Sequence, residues 1–179
     1  ADNVLQKIAA YFSCAVEDLY CEVCDNSILQ VLREEMGNKI SGGLYHETQV
    51  RLTYNSNRIE GSKLSEDQTR LIFETNTIGM EDGVPVDDII ETNNHFRAID
   101  YVIAHAEEGL TEDFIKELHR ILKTATSDSR LSWFRVGDYK AKPNTVGGMP
   151  TVSPNQVCVE MRELLGWYAG LDEIIFEDI

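Results

Sequence analysis

Ser56 and Glu60 stand one helical turn apart in the stretch TYNSNRIEGS, residues 53–62, and Gly61 follows at once. Residues four apart on a helix share a face, so this hydroxyl and this carboxylate point the same way. Two kinds of chemistry fit. The carboxylate can be a solvated helix end paired with Arg58 or Lys63, contributing under about 1 kcal/mol. It can also be held ready to occupy an arginine. A guanidinium grips carboxylate and phosphate with the same planar fork, so one acidic side chain can stand in for a nucleotide's phosphate. Gly61 lets the chain turn sharply after the carboxylate in either case.

The remaining chemistry-bearing residues are less organised. Cysteines lie at 14, 21, 24 and 158, with one Cys-x-x-Cys pair. A zinc site needs four ligands. The nearest further candidates for Cys21 and Cys24 are Cys14 and His46, and no second pair follows, so the thiols read as reduced and partly buried. His95 and His119 fall inside apolar-patterned segments and read as structural; His46 lies near a loop. Asp138 and Glu160 have no partner at metal-ligand spacing, and Trp133 and Trp167 are expected in the core. The sequence thus assigns no catalytic and no metal-binding residue.

The elements that would position Ser56 and Glu60 are mostly helical. Apolar residues at Leu5, Ile8, Phe12, Val16 and Leu19 predict two short amphipathic helices near the start. Ser27 and Gln30 form the first capping box, opening a helix to about Met36 that Gly37-Asn38 ends. A long helix is predicted from about Leu44 to Ile59, with Tyr45, Thr48, Leu52 and Ile59 on one side and Gln49, Thr53, Ser56 and Glu60 on another. Ser65 and Gln68 cap a helix to about Thr77. Residues 87–107 read as one helix with Ile89, Ile90, Phe96, Ile99, Val102 and Ile103 inward, and Thr111 caps the next. The stretch FRVGDYKAKPNTVGGMPTV, from residue 134, mixes glycines, prolines and strand formers, and predicts a β-hairpin or extended loop around a Pro143-Asn144 turn. Ser153 and Gln156 form the third capping box, and the helix after it carries Val157, Met161, Leu164, Leu165 and Tyr168. The last nine residues, LDEIIFEDI, read as the opening turns of another helix, so the chain is expected to be truncated.

Length and composition fit one soluble domain, or one domain plus a small appendage: 179 residues, 42% hydrophobic and 26% charged. No run approaches the roughly eighteen apolar residues that span a bilayer, and the N-terminus lacks a secretory signal's basic start and apolar core. A cytoplasmic protein with no membrane partner is expected. Net charge is −15, which opposes non-specific nucleic-acid binding, because that binding comes from Lys and Arg meeting phosphates. The fold class read from the sequence is all-α with one β-hairpin.

From about residue 44 onward, over about three quarters of the chain, the sequence resembles the Fic family. Ser56-Asn-Arg-Ile-Glu60-Gly61 fits that family's inhibitory pattern [S/T]xxxE[G/N]. IIETNNHFRAIDYV (89–102) and IKELHRILKTAT (115–126) resemble its first core helices. FRVGDYKAKPNTVGG (134–148) resembles the segment with the target-docking flap, and SPNQVCVEMRELLGWY (153–168) the helix after it. The resemblance implies a Fic-like helical bundle with residues 44–179 as the N-terminal part of a Fic domain, an inhibitory helix at about 44–61 and a flap at about 134–148. It implies inhibitory roles for Ser56, Glu60 and Gly61. It implies target docking through Tyr139, Lys140, Lys142, Asn144, Val146, Gly147 and Gly148. Residues 26–43 are a helix and linker. Residues 1–25 separately resemble the last helices of a Cro/repressor-type helix-turn-helix module, whose groove-entering helices are absent, so DNA contact is expected only through missing upstream helices.

Fic proteins are typically adenylyltransferases, moving AMP from ATP to a protein hydroxyl. Their catalytic loop, HxFx[D/E]GNGRxxR, does not occur here. The resemblance implies that ATP and Mg serve only the complete protein, that Glu60 autoinhibits it by competing for a loop arginine, and that these 179 residues alone are inactive. A protein target at the flap is the expected partner, and a homo-oligomer is open. Two other readings stand beside this one: a non-catalytic regulatory or docking module serving another chain, and an appendage of a transcription regulator.

Overall fold

The computed structural model describes residues 27–79 and 83–171. The paired helices expected over residues 1–25, with Cys14, Cys21 and Cys24, lie outside the described residues, as does the helix expected to open within the last nine. Among the described residues there are six α-helices and one two-stranded antiparallel hairpin: α1 (Ser27–Asn38), α2 (Leu44–Ile59), α3 (Glu66–Thr75), α4 (Val86–His105), α5 (Glu112–Lys123), β1 (Thr145–Val146), β2 (Met149–Pro150) and α6 (Val157–Ala169). This is the all-α class with one hairpin.

Local signals explain most boundaries. Ser65 Oγ accepts the Gln68 N–H at 3.1 Å while Gln68 Oε1 accepts the Ser65 N–H at 2.8 Å, which is the reciprocal box that starts α3. Thr111 Oγ1 accepts the Phe114 N–H at 3.1 Å and starts α5. Asp87 and Asp88 occupy the first turn of α4, where the helix dipole favours anions.

Several expectations need correction. Gly37 does not end α1; the helix runs on, and Lys39 takes the left-handed position at φ +52°. The Ile40 N–H then returns to the Glu35 carbonyl at 3.1 Å, closing a Schellman-type end. Helix α3 stops at Thr75 because Asn76 is left-handed, at φ +54°. The hairpin turns on Gly147-Gly148, at φ +58° and +81°, rather than on Pro143-Asn144. A two-residue hairpin loop of this kind needs positive φ at both positions, which proline cannot adopt. Ser153 and Gln156 meet side chain to side chain at 2.8 Å instead of boxing the amides, and α6 begins after them.

The core is built where α2 and α4 meet their neighbours. Helix α2 packs on α1, α3 and α4; α4 packs on α5, and α5 on α6. Leu29, Tyr45, Ile99 and Ile103 form one buried cluster, and Leu64, Ile72 and Phe96 another. Phe73 touches both, and its ring stands edge-on to Phe96 at 5.0 Å between centroids. Val102, expected inward, is 41% exposed. Trp133 and Trp167, expected in the core, are 42% and 51% exposed. Helix α6 has no fully buried residue: Val157, Met161, Leu165 and Tyr168 are half-covered, and Val159 and Leu164 face out.

Candidate functional site

Helix α2 turns a polar stripe, not an apolar one, towards α4. Tyr45, Gln49, Thr53 and Asn57 recur every four residues and are all buried. Gln49 Nε2 donates to Asp100 Oδ1 at 2.6 Å, and the Tyr45 hydroxyl donates to the same oxygen at 2.7 Å. Burial raises the Asp100 carboxyl above the usual range. Burial, and then Asp100 itself, raises the Tyr45 phenol. In the last turn of the helix, Asn57 Nδ2 donates to Thr92 Oγ1 at 3.0 Å. Buried polar contacts of this kind fix rotation and register, because any slip strands a donor away from water. Val50 is buried beside this stripe, whereas Leu52 and Ile59 of the same helix are 48% and 84% exposed.

This seam fixes where Ser56 and Glu60 lie. An open cleft of about 460 Å³ runs between the end of α2 and helices α4 and α5, lined by Ser56, Ile59, Glu60, Glu91, His95 and Lys123 among others. Ser56 is half-buried there and Glu60 is exposed at its rim. Among the described residues the Glu60 carboxylate has no ion pair. Arg58 bonds the Tyr54 hydroxyl instead and lies over that ring at 5.7 Å. The side-chain bond from this helix end across to α4 is made by Asn57. Gly61 follows at φ +97°, where a Cβ would be strained, so glycine suits the reversal into residues 62–64. Replacing Asn57 by alanine is expected to cost about 1–3 kcal/mol, because it removes the partner of a fully buried Thr92. Urea unfolding of Asn57→Ala measures it, and Thr92→Val in the same background should cost little more.

Sequence reasoning did not assign His95, Glu91 and Lys123 to this cleft. Lys123 Nζ meets Glu91 Oε1 at 2.8 Å. His95 Nδ1 is shielded from solvent without a hydrogen-bond partner among the described residues. The signal that could have found Asn57 was the i, i+4 recurrence of Tyr45, Gln49, Thr53 and Asn57.

The second cluster surrounds the hairpin. Its turn residues, Gly147 and Gly148, and Val146 are exposed, and the register pairs Val146 with Met149 and Thr145 with Pro150. Lys140 Nζ donates to Asn144 Oδ1 at 2.6 Å and also to Thr151, tying the base of the hairpin together. Lys142 Nζ sits 4.4 Å over the Trp133 ring, and Lys116 Nζ lies 4.3 Å over Tyr139. Of the expected flap residues, Tyr139, Lys140, Lys142 and Asn144 line one groove of about 790 Å³, walled by α5, α6 and residues 133–144, while Val146, Gly147 and Gly148 do not line it. The structure separates this groove from Ser56, Glu60 and Gly61, none of which lines it.

His119 joins the flap to the bundle. Its Nδ1 accepts the Gly137 N–H at 3.1 Å, which requires a neutral ring with its proton on Nε2. Burial, then Lys123, lowers the His119 pKa, and burial lowers that of His95. The folded state thus resists protons that the unfolded chain accepts. Stability from both rings is intact well above the ordinary value of 6.5 and falls as pH drops through it towards the lower folded values. Thermal unfolding between pH 8 and pH 5 should show this loss, and His119→Asn, whose amide oxygen can accept from Gly137, should flatten part of it.

Cys158 is an exposed free thiol. Among the described residues no group of three or more His, Cys, Asp or Glu could hold a metal ion, and no helix is long and apolar enough to cross a membrane.

No family model and no curated protein matches the sequence. Among solved structures, the chain is similar to a Fic domain-containing signaling protein from Bacteroides thetaiotaomicron VPI-5482, with 25% identity and a TM-score of 0.59. The match covers 79% of this chain and 55% of that one, so the chain spans about half the length of the protein it resembles.

Proposed function

We propose, for a chain that has the Fic-family fold, that it is the regulatory and target-docking portion of a protein adenylyltransferase, autoinhibited through Glu60. The observation that supports this reading is the placement of Ser56 and Glu60 on one open cleft, with no ion pair to the carboxylate among the described residues and its helix end pinned by Asn57. An acidic group held in this way can neutralise a guanidinium presented from the open side. The flap groove would receive the protein target, and the cellular setting we propose is cytoplasmic.

The described residues do not themselves fit ATP and Mg. The cleft carries two carboxylates, Glu60 and Glu91, and its one ammonium, Lys123, is already engaged by Glu91. Four phosphate charges' worth of donors would have to come from a GNGR-type loop outside these 179 residues. What this chain's own residues do in the proposed scheme is position: the Tyr45–Gln49–Asp100 and Asn57–Thr92 contacts hold the helix, and Lys140 with Asn144 holds the flap.

The test uses ATP labelled at the α-phosphate. A polypeptide joining this chain to a GNGR loop should label protein, and the 179-residue chain alone should not. Absence of α-phosphate transfer even after Glu60 is replaced would overturn the reading. A non-catalytic docking module is the second reading. It is favoured by the exposed apolar side of α6, Val159, Leu164 and Trp167.

A further inference from the structure

We propose that His119 is a proton-sensitive latch: uncharged, it holds residues 133–144 against α5 and shapes the groove, and protonated, it releases that segment while the helical core stays folded. This rests on the docking reading only for what the groove serves, and gives that groove a means of regulation.

The contact has one polarity. Gly137 comes down on α5 so closely that a Cβ there would lie 2.9 Å from Arg120 Cβ and 3.4 Å from the Lys116 carbonyl oxygen. Its φ of +75° likewise suits glycine. At that approach its N–H meets His119 Nδ1 at 3.1 Å. A neutral imidazole with its proton on Nε2 accepts there, whereas an imidazolium carries a proton on both nitrogens. Protonation therefore sets a donor against a donor. Phe134 stands 5.6 Å from the ring between centroids, and offers no lone pair to the new proton. Little else holds the segment. None of residues 133–144 is buried, and the buried apolar clusters lie on α1 to α4 and Leu64. Among the described residues, the bond from Gly137 to His119 is the one hydrogen bond between α5 and the segment's main chain. Lys116 adds an ion pair to Asp138 at 3.4 Å and a contact over the Tyr139 ring. Segments with few buried contacts open at a lower free energy than the whole fold.

The surroundings single out this imidazole. Sharing the groove with it are Lys116 of its own helix, Arg135, Asp138, Tyr139, Lys140 and Lys142 of the segment, and Glu160 of α6. Lys123, one turn further along α5, acts on its charge and is itself held by Glu91 of α4. Of these side-chain types, only imidazole titrates between about pH 5 and 8. Neither His95 nor His105 of α4 lines the groove. Burial and Lys123 both oppose a charge on His119, so the contact is complete at neutral pH and is lost on the acid side of the ordinary histidine range. Trp133, Tyr139, Lys140 and Lys142 form one wall of the groove, so its shape lasts only while His119 is neutral.

The test is amide hydrogen exchange of the full chain, followed residue by residue by NMR between about pH 8 and about pH 5 and corrected for the intrinsic rate. Protection of the Gly137 N–H should fall about ten-fold as His119 takes up its proton, the size of one lost hydrogen bond. The Phe96 and Ile99 amides of α4 should keep theirs. His119→Asn, which can accept but does not titrate, should hold Gly137 protected across the range. Gly137→Ala, whose Cβ forbids the close approach, should show low protection at position 137 at every pH. Protection at Gly137 that ignores the titration of His119, or that falls only in step with Phe96 and Ile99, would refute the latch. So would a loss of protection with pH in His119→Asn equal to that in the parent. The assay contains no ATP, target or catalytic loop, so its failure is distinct from a failure of the adenylate-transfer test.

Discussion

On the proposed function, replacing Glu60 by glycine is expected to raise adenylate transfer, including self-modification, in a polypeptide that joins this chain to a GNGR-type loop. A carboxylate that occupies a guanidinium must be displaced before a phosphate can bind there. Charge-assisted pairs of this kind correspond to roughly ten- to a hundred-fold in an equilibrium. The gain should appear as tighter productive ATP binding rather than as altered target preference, because Glu60 lies in the α2–α4–α5 cleft and the flap groove lies elsewhere. Glu60→Gln retains shape but loses charge, and should give a smaller gain. Ser56→Ala should change the rate less than either, since the helix end is tied across to α4 by Asn57. A transfer rate in Glu60→Gly equal to or below that of the parent would remove the inhibitory role. Fold stability is expected to be unchanged, as Glu60 is exposed and makes no ion pair among the described residues.

Phe96→Ala is expected to cause the largest loss of stability, about 3–5 kcal/mol, from lost burial and the cavity left behind. Phe96 is 7% exposed and packs with Leu64 and Ile72. Its ring meets Phe73, which links this cluster to the one around Tyr45 and Ile99. Losing it would loosen α3 and the Leu64 segment that follows Gly61, and so the seat of α2. The check is a shifted urea midpoint with an unchanged slope. Val102→Ala, on the exposed side of the same helix, should change stability by no more than about 0.5 kcal/mol. If the two variants proved alike, the assignment of the core to this face of α4 would fail.

Much of the fold could be read along the chain. Helix α2 runs from Leu44 to Ile59 as the periodicity predicts, and the caps at Ser65 and Thr111 are where the residue types place them. These signals are local: a cap or an apolar period involves residues within a turn or two of each other. The hairpin was legible as a glycine-rich interruption. Its turn was not, because choosing Gly147-Gly148 over Pro143-Asn144 requires knowing which residues pair across it.

What the sequence by itself determined was the all-α class, the order of the elements, and the placing of Ser56 and Glu60 on one helix one turn apart. Only the tertiary structure decided that the polar stripe of α2 is the buried one, that Trp133 and Trp167 stay at the surface, and that His95 shares a cleft with Glu60. The physical reason is range. Burying a polar side chain is least costly where another helix supplies its partner, as Asp100 does for Tyr45 and Gln49, and Thr92 for Asn57. Those partners lie 55, 51 and 35 positions away. No local pattern in the chain announces them.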